Sequence, residues 1–478
     1  MISGAIEKGF PEKGHKMNFL KAKSIDATEG KLLPKIIQYA IPLILSTLVQ
    51  QLFNAIDIVV LGQMANDVAV ASVTATSSVT SLLVTSFVGL ASGSRVVLAR
   101  QIGARDDGSV RKSTDTSLIL SLMIGAVIAV VGFIIAPWFL EITNCPENCI
   151  EGALIYIRIY VLAAPMILLY NFGSSAITAA GDTQRPLYYI MVGGVANIVL
   201  NVILCLILPQ KIVAVAVATV ASQVICAILV SNRLLKMEGP CRVIVRKMRF
   251  CGKALIDILR FGLPMMLVSA LFPLSNLQIA SAINAFDYLA TAGNGAASTI
   301  ENIVSATSGP IATTAATFIG QNIGAQKPDR VKKTFWQCMI LTVIFGGTVG
   351  VAVFFTGSFW LGLIVGFDND VAITFGLVRM SCTTLFYFVA CINNVFGSTL
   401  QAYGYSTVSA INSIFSVFIF RIIWMQGIYP LCADMPTYER FFMVVLCFLV
   451  SWLIRMVVNI VAFAIVRAKY CRGLRRVL

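Results

Sequence analysis

A single aspartate, Asp57, lies inside an otherwise uncharged apolar stretch near the start of the chain. Residues 36–56 carry no charge, and apolar residues continue after Asp57. A carboxylate within a membrane span costs roughly 2.5–3.5 kcal/mol on insertion scales, so it is usually kept for function and faces a bundle interior or a wet cavity. Asn54 and Gln50 lie one and two turns earlier on the same helix face. Asp57 is therefore predicted to bind a cation or a proton; hydration at the outer end of the span is the alternative.

Two asparagines, Asn197 and Asn201, are four residues apart in another apolar stretch, which places both amides on one face of a helix. Amide carbonyl oxygens, together with a carboxylate and a hydroxyl, form the oxygen shell that hard cations prefer. The pair is therefore predicted to contribute to a cation site with Asp57. Hydrogen bonding between helices is the alternative role, because polar side chains in membranes form such bonds routinely.

A second acid, Glu301, lies about ten residues inside a later span, near mid-membrane by the helical rise of about 1.5 Å per residue. It is predicted to contact a cationic substrate or to act as a second coupling group; a protonated side chain bonded to a neighbouring helix is the alternative. Arg421, deep in another span, is predicted to balance an acid such as Glu301. The predicted lining of the substrate cavity is Gln50, Asn54, Asn276, Glu301 and Arg421.

The composition indicates that membrane-spanning helices position these residues. The chain has 478 residues, of which 58% are hydrophobic and 12% are charged, and its mean hydropathy is +0.86. Ordinary globular chains carry about 25% charged residues, so this is an integral membrane protein. A net charge of +14 would suggest nucleic acid in a soluble protein. Here the basic residues lie between apolar spans, so no nucleic-acid partner is predicted. The only histidine is His15, and the cysteines lack metal-site spacing, so no cofactor is predicted either.

Twelve apolar segments approach or exceed the length of about 20 residues that crosses a bilayer. They predict an N-terminal tail at 1–33, a six-helix lobe at 34–235, a linker at 236–256, a second six-helix lobe at 257–467 and a basic tail at 468–478. The predicted spans are 34–62, 68–96, 114–140, 151–180, 186–208, 212–235, 257–284, 290–320, 332–363, 369–403, 406–430 and 438–467.

Basic residues are concentrated in alternate loops. Lys and Arg fill the N-terminal tail, the loops around 100–112, 233–253 and 327–333, and the C-terminal tail, whereas the intervening loops carry almost none. The positive-inside rule therefore predicts that both termini are cytoplasmic and that the number of spans is even.

The two groups of six spans are copies of each other. Pro42 in YAIP matches Pro264 in FGLP, 222 positions later, and the loop RQIGAR at 100–105 matches QNIGAQ at 321–326. Because each copy has six spans, both enter the membrane in the same direction. The predicted fold is therefore all-α, with two lobes related by a parallel repeat, which suits rocking about a central cavity.

The motifs resemble those of the multidrug and toxic compound extrusion (MATE) family, within the superfamily of multidrug, oligosaccharidyl-lipid and polysaccharide (MOP) exporters. The resemblance rests on FNAID and VLGQM in the first span, the two matching loops, AAGDTQRP at 179–186, NIVLN at 197–201 and FRIIWM at 420–425. It implies two lobes that form a V-shaped cleft, and export driven by entry of Na⁺ or H⁺.

The resemblance also implies where the coupling cation binds. Relatives use an Asp of the first span, an Asn and an Asp one turn apart on the fifth, and a Thr of the sixth. Asp57, Asn197 and Thr219 match these positions and could hold Na⁺. Asn201 departs from the pattern, because the usual residue there is Asp, so this site has one carboxylate fewer.

The predicted function is a monomeric secondary antiporter of the cell (inner) membrane that exports small organic compounds and is not an enzyme. Cationic or amphipathic cargo is favoured, because deep basic residues are few while Asp57 and Glu301 are present. A flippase for lipid-linked oligosaccharide or polysaccharide precursors is the alternative, and it would favour several cavity-facing Arg or Lys side chains. A membrane-embedded transferase is a remote alternative, because the outer loops contain no His, no paired catalytic acids and no metal motif.

Overall fold

The computed structural model describes residues 24–64, 67–142 and 147–475, and within these ranges the regular structure is helical. The helices are α1 (Leu32–Met64), α2 (Asp67–Gly103), α3 (Asp107–Ile142), α4 (Glu147–Leu162), α5 (Ala164–Ala179), α6 (Gln184–Ile207), α7 (Lys211–Lys236), α8 (Gly252–Ile283), α9 (Tyr288–Gly324), α10 (Pro328–Phe355), α11 (Gly357–Val365), α12 (Asp370–Cys382), α13 (Tyr387–Ala402), α14 (Ser406–Ser413), α15 (Phe420–Ile423) and α16 (Thr437–Arg475). Two π-helical stretches, Ile414–Ile419 and Trp424–Ile428, make α14 and α15 parts of one continuous span that ends at Cys432.

Nine helical segments in the described ranges are long and apolar enough to cross a membrane, and two bent pairs raise this number to eleven. The bent pairs are α4 with α5, at 47°, and α12 with α13, at 43°. Pro165 explains the first bend, because proline cannot donate the helical hydrogen bond and clashes with the preceding turn. The ranges 151–180 and 369–403, predicted as single spans, are therefore broken helices.

One further helix, α9, corresponds to the predicted span 290–320 and brings the total to twelve. It is 37 residues long but rich in Ala, Gly, Ser and Thr. More than half of its residues are buried, because α10, α12 and α13 of its own lobe and α2 of the first lobe pack around it. Because protein covers much of this helix, its low hydropathy is compatible with its place in the bundle.

The repeat is visible in the backbone. Arg105 and Gln326, which occupy matching positions in the two copies, have φ values of 56° and 55°, and they are the non-glycine residues with positive φ in the described chain. Gly181 and Gly404, at the ends of the two bent pairs, both have φ of 93°. The same unusual turns recur in both lobes, as the parallel repeat predicts.

The two lobes meet where α2 and α9 end, at what we call the basic end because the Lys- and Arg-rich loops lie there. The backbone of Gln321 occupies the space that a Cβ at Gly103 would need, and the backbone of Arg100 does the same at Gly324. These are matching positions in the two copies, so the crossing is symmetric. Only glycine allows the two helix ends to approach so closely.

A segment before α1, residues 24–31, crosses the basic end and is called the strap. Its Ile25 N–H donates to the carbonyl of Gly181 in the first lobe at 3.1 Å. On the other side, the Ala27 N–H donates to Gln321 Oε1 at 3.0 Å, and Arg330 Nη2 donates to the Ala27 carbonyl at 2.8 Å. The strap therefore ties the two lobes together at this end.

Candidate functional site

The first lobe brings α1 and α6 into direct contact near the predicted cation ligands. The Phe53 ring on α1 fills the space that a Cβ at Gly194 of α6 would need. The helices α1 and α6 are the first and fifth spans, so they cross the membrane in the same direction. Position 57 on α1 and Asn197 on α6 therefore each lie about one turn beyond this contact. The side chains of Asn54 and Asp57 lie outside the described residues; their backbones belong to α1.

Asn197 and Asn201 are both buried, at 4% and 0% exposure. Asn201 Nδ2 donates to Asn197 Oδ1 at 3.1 Å, so the two amides are joined along one helix. An amide oxygen has two lone pairs, and the second one on Asn197 is compatible with a cation. The bond also fixes the orientation of the Asn197 amide.

Thr219 on α7 lies at the level of Asn197. The Ser222 carbonyl approaches Gly193 of α6, and the two helices are antiparallel neighbours, so Thr219 and Asn197 each lie about one turn further in the same direction. The Thr219 hydroxyl donates to the Val215 carbonyl at 2.9 Å, which leaves its oxygen available as an acceptor. Three positions predicted from the sequence, on α1, α6 and α7, therefore lie at one depth in the first lobe.

In the second lobe, Glu301 forms an ion pair with Arg379 of α12. The distance from Arg379 Nη2 to Glu301 Oε2 is 2.8 Å, and Arg379 Nη1 donates to Asn294 Oδ1 at 2.6 Å. The side chains of Arg379 and Glu301 are 7% and 17% exposed. The direct ion-pair partner of Glu301 is therefore Arg379, because α9 packs against α12; Arg421, predicted to balance Glu301, is not part of this ion pair. Arg379 could have been found in the sequence in the same way as Asp57, because each is a charged residue inside an apolar span.

Arg421 is fully buried in the middle of the span that contains both π-helical stretches. Its Nη1 donates to Asn276 Oδ1 at 2.9 Å and to Ser275 Oγ at 3.3 Å, and its Nε donates to Ser451 Oγ at 3.3 Å. The Asn276 side of this group is exposed, whereas Ser275 and Ser451 are buried. Arg421 thus lies directly behind an exposed amide of α8. Gln50, also predicted to line the cavity, is exposed on α1.

The aromatic ring of Phe448 contacts both Arg379 and Arg421. Phe448 of α16 lies 4.9 Å from the guanidinium carbon of Arg379 and 4.4 Å from that of Arg421, measured to the ring centroid. α16 also carries a third buried arginine, Arg455, at 9% exposure. In the sequence, Arg379 matches Arg158 of the first lobe, 221 positions earlier, and this symmetry predicts a structural role such as tying helix ends; no role is predicted for Arg455. We call Glu301, Arg379, Phe448 and Arg421 the second-lobe cluster.

A family model described as MatE matches residues 42–203 and 264–425, one range in each lobe. Together these ranges cover more than half of the chain. The chain belongs to the MatE family. This confirms the resemblance to the MATE family and, with the helices described above, the expected architecture of twelve spans in two lobes.

The relatives of this MatE-family chain carry names that point to different compounds. The probable multidrug resistance protein YoeA of Bacillus subtilis (strain 168) is 25% identical and aligns over 79% of this chain and 83% of its own length. An FAD transporter of Shewanella oneidensis is 22% identical over 61% of this chain and 66% of its own length. The solved structure of a MOP superfamily transporter from Pyrococcus furiosus, described as having a binding pocket of reverse polarity, gives a TM-score of 0.85 at 20% identity. The alignment covers 93% of this chain and 99% of that one. At this identity, the likeness shows the fold alone.

Proposed function

We propose that this MatE-family protein is a monomeric secondary antiporter of the cell membrane that exports small organic compounds, driven by entry of Na⁺ or H⁺. The observation that carries the proposal is the packing of α1, α6 and α7, which aligns the backbone of Asp57 with Asn197 and Thr219 at one depth. The relative YoeA, named as a probable multidrug resistance protein, supports export of organic compounds.

The coupling site is proposed to act through α1. Na⁺ would be held by oxygen atoms of Asp57, Asn197 and Thr219, whereas a proton would be held by Asp57 alone. At the basic end of the same helix, the Tyr39 hydroxyl donates to the Thr178 carbonyl of the first lobe at 2.8 Å and lies 3.3 Å from Thr317 Oγ1 of the second. A shift of α1 when the cation binds would therefore change a contact between the lobes.

Alternating access requires that the crossing at the basic end can open. The glycine contacts between α2 and α9 and the strap close this end of the protein, and the first and second lobes contribute equally to the crossing. Rocking of the lobes about the cavity would separate these contacts and expose the cavity to the cytoplasm. The basic end is placed in the cytoplasm by the positive-inside rule.

The orientation can be tested by cysteine labelling in a variant without the native cysteines. We expect Arg242→Cys, in the linker at the basic end, to be protected from an impermeant maleimide added outside intact cells. Asp368→Cys, in an exposed loop at the opposite end, is the matched control and should be labelled. Labelling of Arg242→Cys but not of Asp368→Cys would reverse the topology.

Coupling can be tested by efflux of a fluorescent dye from vesicles that contain the purified protein. We expect efflux to accelerate under either an imposed Na⁺ gradient or an imposed proton gradient, and to return to the rate of empty vesicles when an ionophore removes that gradient. The reason is that an ion shifts a conformational equilibrium only if it binds the two states with different affinity. Dye movement that ignores both gradients would contradict coupled antiport.

A further inference from the structure

We infer that the second-lobe cluster recognises an anionic group, a carboxylate or a phosphate, on the transported compound. The inference rests on the proposed export function and names the charge of its cargo. It differs from the expectation of cationic cargo, which rested on Asp57, on Glu301 and on the small number of deep basic residues. Because Glu301 already pairs with Arg379, it does not offer an unpaired carboxylate to a cation.

The charge balance inside the second lobe is positive. Within its described spans, the arginines Arg379, Arg421 and Arg455 are buried, and the one acid at this depth, Glu301, pairs with Arg379. No ion pair in the described part of the chain includes Arg421 or Arg455. A buried charge is expensive unless it is paired, so an anion in this lobe would be strongly favoured.

Arg421 has a hydrogen-bond donor that could bind such an anion. Its described acceptors are Asn276, Ser275 and Ser451, all of which are neutral. Its buried Nη2 has no hydrogen-bond partner among the described residues. A guanidinium presents its N–H groups as a fork that fits the two oxygens of a carboxylate or phosphate. Nη2 and Nη1 together provide that fork, once the anion replaces the Asn276 oxygen.

The span that carries Arg421 is not a regular α-helix. Arg421 lies in the four-residue α-helical turn Phe420–Ile423, which is flanked by the π-helical stretches Ile414–Ile419 and Trp424–Ile428. Such π-helical segments are frequent at functional sites. Asn276, which separates Arg421 from the exposed surface, is itself exposed. A small movement of this turn would bring Arg421 past Asn276 to a ligand in the cavity.

The internal repeat explains why the two lobes would bind opposite charges. Arg421 lies on the fifth span of the second lobe, and this span matches α6, the helix of the first lobe that carries Asn197. The counterpart of Asp57 is Ile279, 222 positions later. Where the first lobe has the predicted ligands of the coupling cation, the matching helices of the second lobe carry Ile279 and the buried Arg421.

The test compares two dyes in vesicles of neutral phosphatidylcholine, the anion carboxyfluorescein and the cation ethidium. We expect the protein to transport carboxyfluorescein, and Arg421→Gln to raise its KM roughly tenfold to a hundredfold, as expected for the loss of one charge-assisted contact. Arg421→Lys, which keeps the charge, should recover part of the affinity. Arg158→Gln is the matched control, because Arg158 contacts Phe133 in the first lobe at 4.8 Å and lies outside the cluster.

The Tm of the protein provides a second readout, and its measurement on the unmodified protein does not depend on whether the variants fold. Carboxyfluorescein and, separately, phosphatidylglycerol in the bilayer should each be tried for an increase in Tm. If the dye raises the Tm of the unmodified protein but not that of Arg421→Gln, the cargo is a soluble anion. If the lipid raises the Tm in this way, the cargo carries a lipid-borne phosphate. Transport of ethidium in preference to carboxyfluorescein, with no stabilisation by either anion, would overturn the inference. Failure to move either dye under any gradient would instead refute the export function.

Discussion

Replacement of Asp57 by Asn is expected to abolish gradient-driven efflux while leaving the protein inserted and folded. The amide keeps the size of the side chain but cannot change charge, so it would no longer bind a proton or hold Na⁺ in one conformation more tightly than in the other. A cation that binds both conformations equally shifts nothing. The measurement is dye efflux from vesicles under an imposed gradient, with the rate expected to fall to that of empty vesicles.

A second substitution in the same background provides the control. Asn201 is fully buried and donates to Asn197 at 3.1 Å, so Asn201→Asp would put a carboxylate back next to the proposed ligands. We expect Asp57→Asn with Asn201→Asp to recover part of the coupling. Normal gradient-driven efflux by a well-expressed Asp57→Asn protein would exclude the assignment of Asp57.

A disulfide across the crossing at the basic end is expected to stop transport reversibly. A Cβ at Gly320 of α9 would lie 3.3 Å from the Cβ of Ala99 of α2, close to the separation of about 3.5–4.5 Å found in disulfides. In a variant without other cysteines, Ala99→Cys with Gly320→Cys should cross-link on oxidation and hold the two lobes together. Dye efflux should then fall to background and return after reduction.

A cross-link inside one lobe distinguishes a locked crossing from general damage. A Cβ at Gly346 would lie 3.4 Å from the Cβ of Cys391, and both residues belong to the second lobe. Gly346→Cys with the native Cys391 should therefore form a disulfide that leaves efflux largely intact. Cleavage of the linker at 236–256, followed by a non-reducing gel, shows which cross-link joins the lobes. Unchanged efflux by the fully cross-linked Ala99–Gly320 variant would mean that this crossing does not open.

The number of spans and the repeat could be predicted because both are patterns along the chain. Apolar length marks a span, and duplication preserves the spacing of motifs such as RQIGAR and QNIGAQ. The bends were not predictable in this way. Pro165 marks one of them in the sequence, but the corresponding bend between α12 and α13 occurs at residues 383–386, which contain no proline.

The partners of the buried charges could not be predicted, because they depend on which helices touch. Glu301 and Arg379 are 78 residues apart, and Arg421 and Asn276 are 145 residues apart. Counting acids and bases along the chain therefore favoured a cationic cargo. Once α9 packs against α12, the acid is paired and the remaining arginines determine the sign of the charge in this lobe.

The polarity of α9 has a consequence for how the protein is made. A translocon releases a nascent helix into lipid according to its own hydrophobicity, and α9 falls below the hydropathy shown by the other spans. Three of the helices that cover it, α10, α12 and α13, are synthesised after it. Integration of α9 should therefore be delayed until these later helices arrive, with α2 as its early partner from the first lobe. The second lobe would then assemble as a group of helices, whereas the more apolar helices of the first lobe could insert one at a time.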